Sequence, residues 1–259
     1  MSLRKRWTIS SMASVALLLI SGTLTQSPAS AAPVINLTSA HVQSIMAGET
    51  IKFTGTVGGG KVAKTVHAQQ QVKKKWTNVA SGKLRAGSVF AFSQKVTVAG
   101  NFKFRLVYSA GGQTTYSKAI SAHVRRWYYL SDRDVVEGDR LEGGSGMVNG
   151  KTYAHSVFLK AAYRDGWNSQ WNLQRKCTVL QAKVGLEDSS ESVQSVSLQV
   201  FVDQSEGPTY TLSLGHDYTV NFDIRGGLRL GVVGTEVGGH HYYGGVLLGN
   251  ARIACLPLS

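Results

Sequence analysis

Five carboxylates crowd one short stretch: Asp132, Asp134, Glu137, Asp139 and Glu142. Two carboxylates about 5 to 10 Å apart can hydrolyse a glycosidic bond, provided that a dry wall raises the pKa of one of them. Here the acids lie beside Gly143-Gly144 with no apolar run to desolvate any of them, so they read as a solvated loop. No G-x-S-x-G, H-E-x-x-H or phosphate-binding glycine loop occurs, and the expectation is a non-catalytic protein. Two other clusters are aromatic. One runs from Tyr163 to Trp171 (YRDGWNSQW), the other from Glu236 to Gly245 (EVGGHHYYGG). Sugar recognition needs ring faces against the C–H side of a pyranose and planar polar groups for its hydroxyls, carried on loops that a rigid scaffold holds. Tyr163, Trp167, His240, Tyr242 and Tyr243 are the candidate ligand-binding residues, whereas Trp171, directly before a strand, is assigned to the core. A metal site at His240-His241 is not assigned. Adjacent residues on extended chain point to opposite faces, and no third ligand is spaced nearby.

The elements that would position these loops are strands. Cys177 to Val184 alternates: Thr178, Leu180, Ala182 and Val184 point one way, Cys177, Val179, Gln181 and Lys183 the other. Ser195 to Val202 alternates in the same way. Tyr210 to Leu214, Tyr218 to Ile224, Leu228 to Val233 and Ala251 to Leu256 give further short strands, with turns at Gly215-His216-Asp217 and Gly226-Gly227. No stretch sustains a helical period, so an all-β sandwich follows. The Cys177 strand is expected to pair with the last one.

The first thirty-odd residues read as an export signal. Arg4, Lys5 and Arg6 precede the apolar run Ala13 to Ile20, and Ala29-Ser30-Ala31 supplies a cleavage site, placing the mature start at Ala32. The run is far shorter than the roughly 20 residues that span a bilayer, and no later segment of the mature chain is long and apolar enough to do so. In an exported chain with no C-x-x-C, Cys177 and Cys255 are expected to form a structural disulfide.

Charge divides the remainder. Residues 33–126 hold 14 Lys and Arg against the single acid Glu49, a net of +13, whereas residues 127–259 hold 11 basic and 14 acidic residues, a net of −3. A boundary near Arg125-Arg126-Trp127 follows, giving residues 1–31 as signal peptide, 33–126 as a basic module and 127–259 as a second module. The basic half shows about seven short alternating runs, among them Ile51 to Val57, Val66 to Val72, Phe102 to Tyr108 and Ile120 to Val124. That pattern resembles the small immunoglobulin-like sandwiches of secreted bacterial proteins. Trp76 is expected to pack across its hairpin rather than await a ligand. A net of +13 exceeds the roughly 2 to 8 that keeps a small domain soluble, and an anionic surface polymer is the expected partner, with Lys73, Lys74, Lys75 and Arg105 as its contacts. No motif for specific nucleic-acid recognition is present.

In the second half YYLSD, VNGKTYAHS, NLQRKCTVLQAKVGLEDSS, SVSLQVFVD, NFDIRGGLRLGVV and GNARIAC, in that order and spacing, resemble the NPCBM family of carbohydrate-binding modules along nearly all of residues 127–256. The resemblance implies a galactose-binding-type jelly-roll sandwich. It also implies a carbohydrate or cell-wall glycan as partner, and a structural calcium ion of the kind such sandwiches often hold, here near Glu187-Asp188 or Asp203. This chain departs from the family where relatives carry an acid and a tryptophan before the last strand. It has Leu247-Leu248 there, which implies either a repacked core or a missing sugar contact. The expected function is that of an exported glycan-binding protein that attaches to a cell surface. The alternative is a protein-binding or architectural surface module, with a glycoside hydrolase less favoured.

Overall fold

The computed structural model describes residues 33–40, 42, 45–59, 64–138, 141–160, 167–190, 195–237 and 245–258. The export signal, with its mature start at Ala32, therefore lies outside the described residues, as do Asp139, Tyr163, His240, His241, Tyr242 and Tyr243. Among the described residues every regular element except two short 3-10 turns is a strand, and no helix is long and apolar enough to cross a membrane.

The basic half contributes β1 (Val34–Ala40), β2 (Ile45–Met46), β3 (Thr50–Gly58), β4 (Thr65–Val72), β5 (Lys75–Lys83), β6 (Val89–Lys95), β7 (Gly100–Ala110), β8 (Gln113–Tyr116) and β9 (Ile120–Tyr129). β1, β3 and β6 form one sheet; β9, β7, β4 and β5 run in order through the other. The alternation seen in the sequence becomes burial: Ile51, Phe53 and Phe90 meet Val66, Ala68, Phe104, Leu106, Ala122 and Val124 in one apolar core. Lys73 and Lys74 form the two-residue turn between β4 and β5, both at positive φ (47° and 67°), the conformation that hairpin twist demands there. Trp76 does pack on its sheet. Its ring lies 4.4 Å from the Arg105 guanidinium two strands away, which also sits 4.1 Å from Tyr116 and donates to Gln69.

The second half contains β10 (Val135–Glu137), β11 (Leu141–Val148), β12 (Lys151–Lys160), β13 (Trp167–Asn172), β14 (Cys177–Leu186), β15 (Ser195–Val202), β16 (Ser205–Ser213), β17 (Asp217–Asp223), β18 (Arg229–Val237) and β19 (Gly245–Cys255). One sheet runs β10-β13-β18-β15-β16. In the other, β14 lies between β17 and β19, and β19 carries β12 and then β9 along its opposite edge. The two sheets enclose a core of fully buried side chains including Leu180, Val184, Leu198, Val200, Leu230, Val232, Leu248 and Ile253. Trp171 belongs to this core, 1 % exposed, as its place before a strand indicated.

Three expectations change. Cys177 does not face away from Leu180. A register shift between Cys177 and Val179 turns it inward, where it joins the core and lies opposite Cys255, its disulfide partner. The acid-rich segment is not one loop, since β10 and β11 occupy much of it, although Asp132, Asp134, Glu137 and Glu142 are all exposed. The final strand begins at Gly245 rather than Ala251. Leu247 and Leu248 are both fully buried within it, Leu248 in the main core and Leu247 in a small cluster with Val148, Tyr153 and Phe158. Residues 125–127, where the charge changes, lie within β9. That strand pairs with β7 through Ile120–Val124 and with β19 through Arg126–Tyr129, without a break.

The disulfide closes a span of 78 residues. Restricting the unfolded chain over that span stabilises the fold by about 4.5 kcal/mol on loop-entropy grounds. Replacing both cysteines by serine is expected to lower the unfolding free energy by a few kcal/mol, with the urea midpoint falling and the slope steepening as the unfolded chain expands; chemical denaturation of the two proteins measures it.

Candidate functional site

Strand register gathers one end of the second sandwich. Lys160, the last residue of β12, lies opposite Gly245, the first of β19. Leu186 at the end of β14 lies opposite Val246. In the facing sheet Trp167 opens β13 opposite Gly234, and Ser195 opens β15 opposite Val237 at the close of β18. The three crossovers, residues 161–166, 187–194 and 238–244, thus leave from neighbouring strand ends. The backbone of Trp167 is placed at that end. Its side chain and the residues Tyr163, His240, Tyr242 and Tyr243 lie outside what the structure describes.

A second feature was not foreseen. On the face of the β9/β12-β19-β14-β17 sheet that points away from the core, a trough of two adjoining hollows, about 430 and about 440 Å³, runs across the strands. Three side chains at period two on β9 line it, Arg125, Trp127 and Tyr129. Gln181 of β14 and Asn221 of β17 line both hollows, joining them into one polar floor. The groups are held. Arg252 sits 4.2 Å over the Trp127 ring while its Nη2 donates to Gln181 Oε1 at 3.0 Å. Tyr129 stacks on His155 at 3.9 Å between centroids, and Asn250 Oδ1 accepts the His155 amide at 3.2 Å. Gly249 keeps room for Tyr153, since a Cβ there would come within 2.6 Å of the Tyr153 ring.

Charge is arranged along the trough. At one end Lys183 donates to Thr219 at 2.6 Å and pairs with Asp217 at 3.0 Å, and Asn149 from the β11–β12 turn donates to Asp217 at 3.1 Å. The Asn149 hydrogen bond and then Lys183 hold the Asp217 carboxyl below its ordinary range. Burial, followed by the Asp217 charge, pushes the Tyr153 phenol up, so it stays a neutral hydroxyl at physiological pH. At the other end Arg225 grips the Asp223 carboxylate through Nε, at 2.9 and 3.0 Å, and through Nη2.

Two of the acids expected near a calcium ion, Asp188 and Asp203, hold backbone amides. The two carboxylate oxygens of Asp188 accept the Asn149 and Gly150 amides at 2.7 and 2.8 Å, pinning the β11–β12 turn. Asp203 accepts the Leu228 and Arg229 amides at 3.0 and 2.8 Å and pins the start of β18. Both acids serve as turn caps, and among the described residues no group of three His, Cys, Asp or Glu side chains gathers.

The second half is thus an antiparallel β-sandwich in which the strand ends that flank residues 161–166, 187–194 and 238–244 lie together at one end. Residues 127–254 form an NPCBM/NEW2 domain. Solved structures similar to the chain include the CBM51-2 and INT domains of Clostridium perfringens ZmpB, at 14 % identity and TM-score 0.42, covering 61 % of this chain and 38 % of that one. They also include CBM51 from Clostridium perfringens GH95 in complex with methyl-galactose, at 15 % identity and TM-score 0.41, covering 49 % of this chain and 99 % of that one. The tandem CBM51 modules of Sp3GH98 from Streptococcus pneumoniae SP3-BS71 match at 12 % identity and TM-score 0.43, covering 82 % of each chain. This chain therefore spans well under half of the ZmpB structure it matches. No curated protein matches the sequence.

Two measurements check the trough. Because the Asp217 carboxyl titrates lower in the folded chain than in the unfolded one, its contribution is complete above the unfolded pKa and lost as pH falls through the folded one. The stability gap between the native protein and Asp217→Asn should accordingly be open near pH 7 and narrow as the pH falls below the ordinary carboxylate range, read from urea midpoints across that range. Gly249→Ala should lower stability by about 1 to 3 kcal/mol through displacement of the Tyr153 ring, measured in the same way near pH 7.

Proposed function

We propose that the chain is an exported, non-catalytic protein whose second module binds a carbohydrate at the crossover end of its sandwich. The observation that carries this is the convergence, within an NPCBM/NEW2 domain, of the strand ends that flank residues 161–166 and 238–244, the two segments rich in aromatic and planar polar residues. Aromatic side chains on loops anchored by a β-sandwich present the flat apolar surface that a pyranose ring requires. Tyr163, Trp167, His240, Tyr242 and Tyr243 are the residues to which we assign the contact. The Cys177–Cys255 bond agrees with an oxidising compartment, and the n-region, apolar run and cleavage site at residues 1–31 provide the route.

In this reading residues 33–126 form a basic immunoglobulin-like module that attaches to anionic surface polymers, with Lys73, Lys74, Lys75 and Arg105 among its contacts. Lys73 and Lys74 stand at the tip of the β4–β5 turn and are exposed, as an electrostatic contact with a polymer requires.

A glycan array is the direct test. The native protein should bind a defined subset of neutral saccharides, and Trp167→Ala or Tyr242→Ala should weaken that binding about tenfold or more, about 1.4 kcal/mol, while the unfolding transition is preserved. Silence of the native protein across the array would leave a protein-binding or architectural role in its place. Sedimentation with purified cell wall should fall steeply between low and high salt, and replacing Lys73, Lys74 and Lys75 by Gln should flatten that dependence.

A further inference from the structure

The trough's second hollow lies where the two halves of the chain meet. Arg125 comes from the β9 strand that both halves share, Asp223 and Arg225 come from the end of β17, and Met46 of β2, held in parallel register with Arg125, walls the basic side. We propose that this hollow is a binding site for an anionic glycan, with the carboxylate or phosphate of one repeat unit seated between Arg125 and Arg225 and the adjoining sugar hydroxyls on Gln181 and Asn221.

Four observations support it. The described lining presents two guanidinium groups, Arg125 and Arg225, beside the Asp223 carboxylate. Burial, followed by the charge of Arg225, draws Arg125 below its ordinary pKa, and a bound oxyanion would favour its charged form. Guanidinium groups suit this role because their planar fork matches a carboxylate or a phosphate through two parallel hydrogen bonds. The amide floor extends from this hollow into the next through Gln181 and Asn221, so a chain of sugars can continue along the trough instead of ending in it. The site lies on the sheet face, beyond Lys183 from the crossover end, and it uses none of the residues assigned to the contact there.

Asp223 gives the proposal a test that a merely structural role would not pass. Its carboxylate engages Arg225 and competes with an incoming anion. Isothermal titration of the full mature chain at physiological salt, using trigalacturonate, its neutral methyl ester and an oligomer of glycerol phosphate, separates the sources of the oxyanion. Binding of one or both anionic probes, with none of the ester, is expected. Arg225→Gln should weaken it about tenfold or more, and Asp223→Asn should strengthen it about threefold, opposite effects from neighbouring and exposed residues. Trp167→Ala should leave it unchanged, so that failure of the loop reading and failure of this one are told apart. The proposal is overturned if no anionic probe binds, if the ester binds equally, or if affinity is lost on replacing Lys73, Lys74 and Lys75 by Gln while Arg225→Gln retains it.

Discussion

The last strand is the constraint on which the remainder hangs. Across one edge of β19 the ladder runs from Val246 to Cys255 against β14, ending in the disulfide. Across the other edge it pairs first with β12, through Gly245 to Leu248, and then with β9, through Arg252 to Cys255. A single extended segment thus closes the second sandwich, fixes the strand ends at its crossover end and receives the strand that arrives from the basic half. Hydrogen bonds of this kind contribute about 1 kcal/mol each in net terms, yet an amide left unpaired in so buried a strand would be more costly than that. β19 is buried on both faces over most of its length, and its register is correspondingly well specified.

Two structural consequences follow for function. The first is that candidate contacts far apart in sequence, on the segments after β12 and after β18, leave from neighbouring positions, because Lys160 and Gly245 are paired. The second is the trough. Side chains on β9, β19, β14 and β17 reach one surface because these strands are adjacent, and the β9 strand carries that surface across from one half of the chain to the other. Arg252 illustrates how closely the surface is organised: it stacks on Trp127 and donates to Gln181, tying three strands together with one side chain.

Much of the strand pattern was legible in the sequence where one face is buried and the other wet. Ser195 to Val202 alternates in type and the structure buries Val196, Leu198 and Val200 accordingly, with the strand bounds unchanged. Trp171 was found from its place before a strand and the Cys177–Cys255 pair from export without a C-x-x-C, so alternation was not the sole guide. It failed where the physical premise did not hold. Residues 245–249 carry apolar and small side chains on both faces, with Tyr153 and Phe158 packed on the outer one, so no alternation marked them as strand. The bulge after Cys177 inverted one side chain without any local signal. β10 and β11 were obscured by glycines and acids that seldom populate strands. The trough was invisible for a different reason. Each of its residues, Gln181, Asn221, Asp223 and Arg252 among them, looks on its own strand like the solvated face of an ordinary sheet, and only the order of the strands gathers them. The steep change in charge near Arg126 was real, but it marks a change of neighbours along one strand rather than a gap in the fold.

Native-state hydrogen exchange, followed residue by residue, tests the central role of β19 most directly. The account predicts that the amides of β19 from Val246 to Cys255 and those of β9 from Arg126 to Tyr129 that join its ladder exchange in one slow class, through opening of the whole second sandwich. Rapid exchange of the Arg126–Tyr129 amides while the β14 pairing stays protected would contradict it, because the strand that carries the trough from one half to the other would then be no part of the sheet it is placed in.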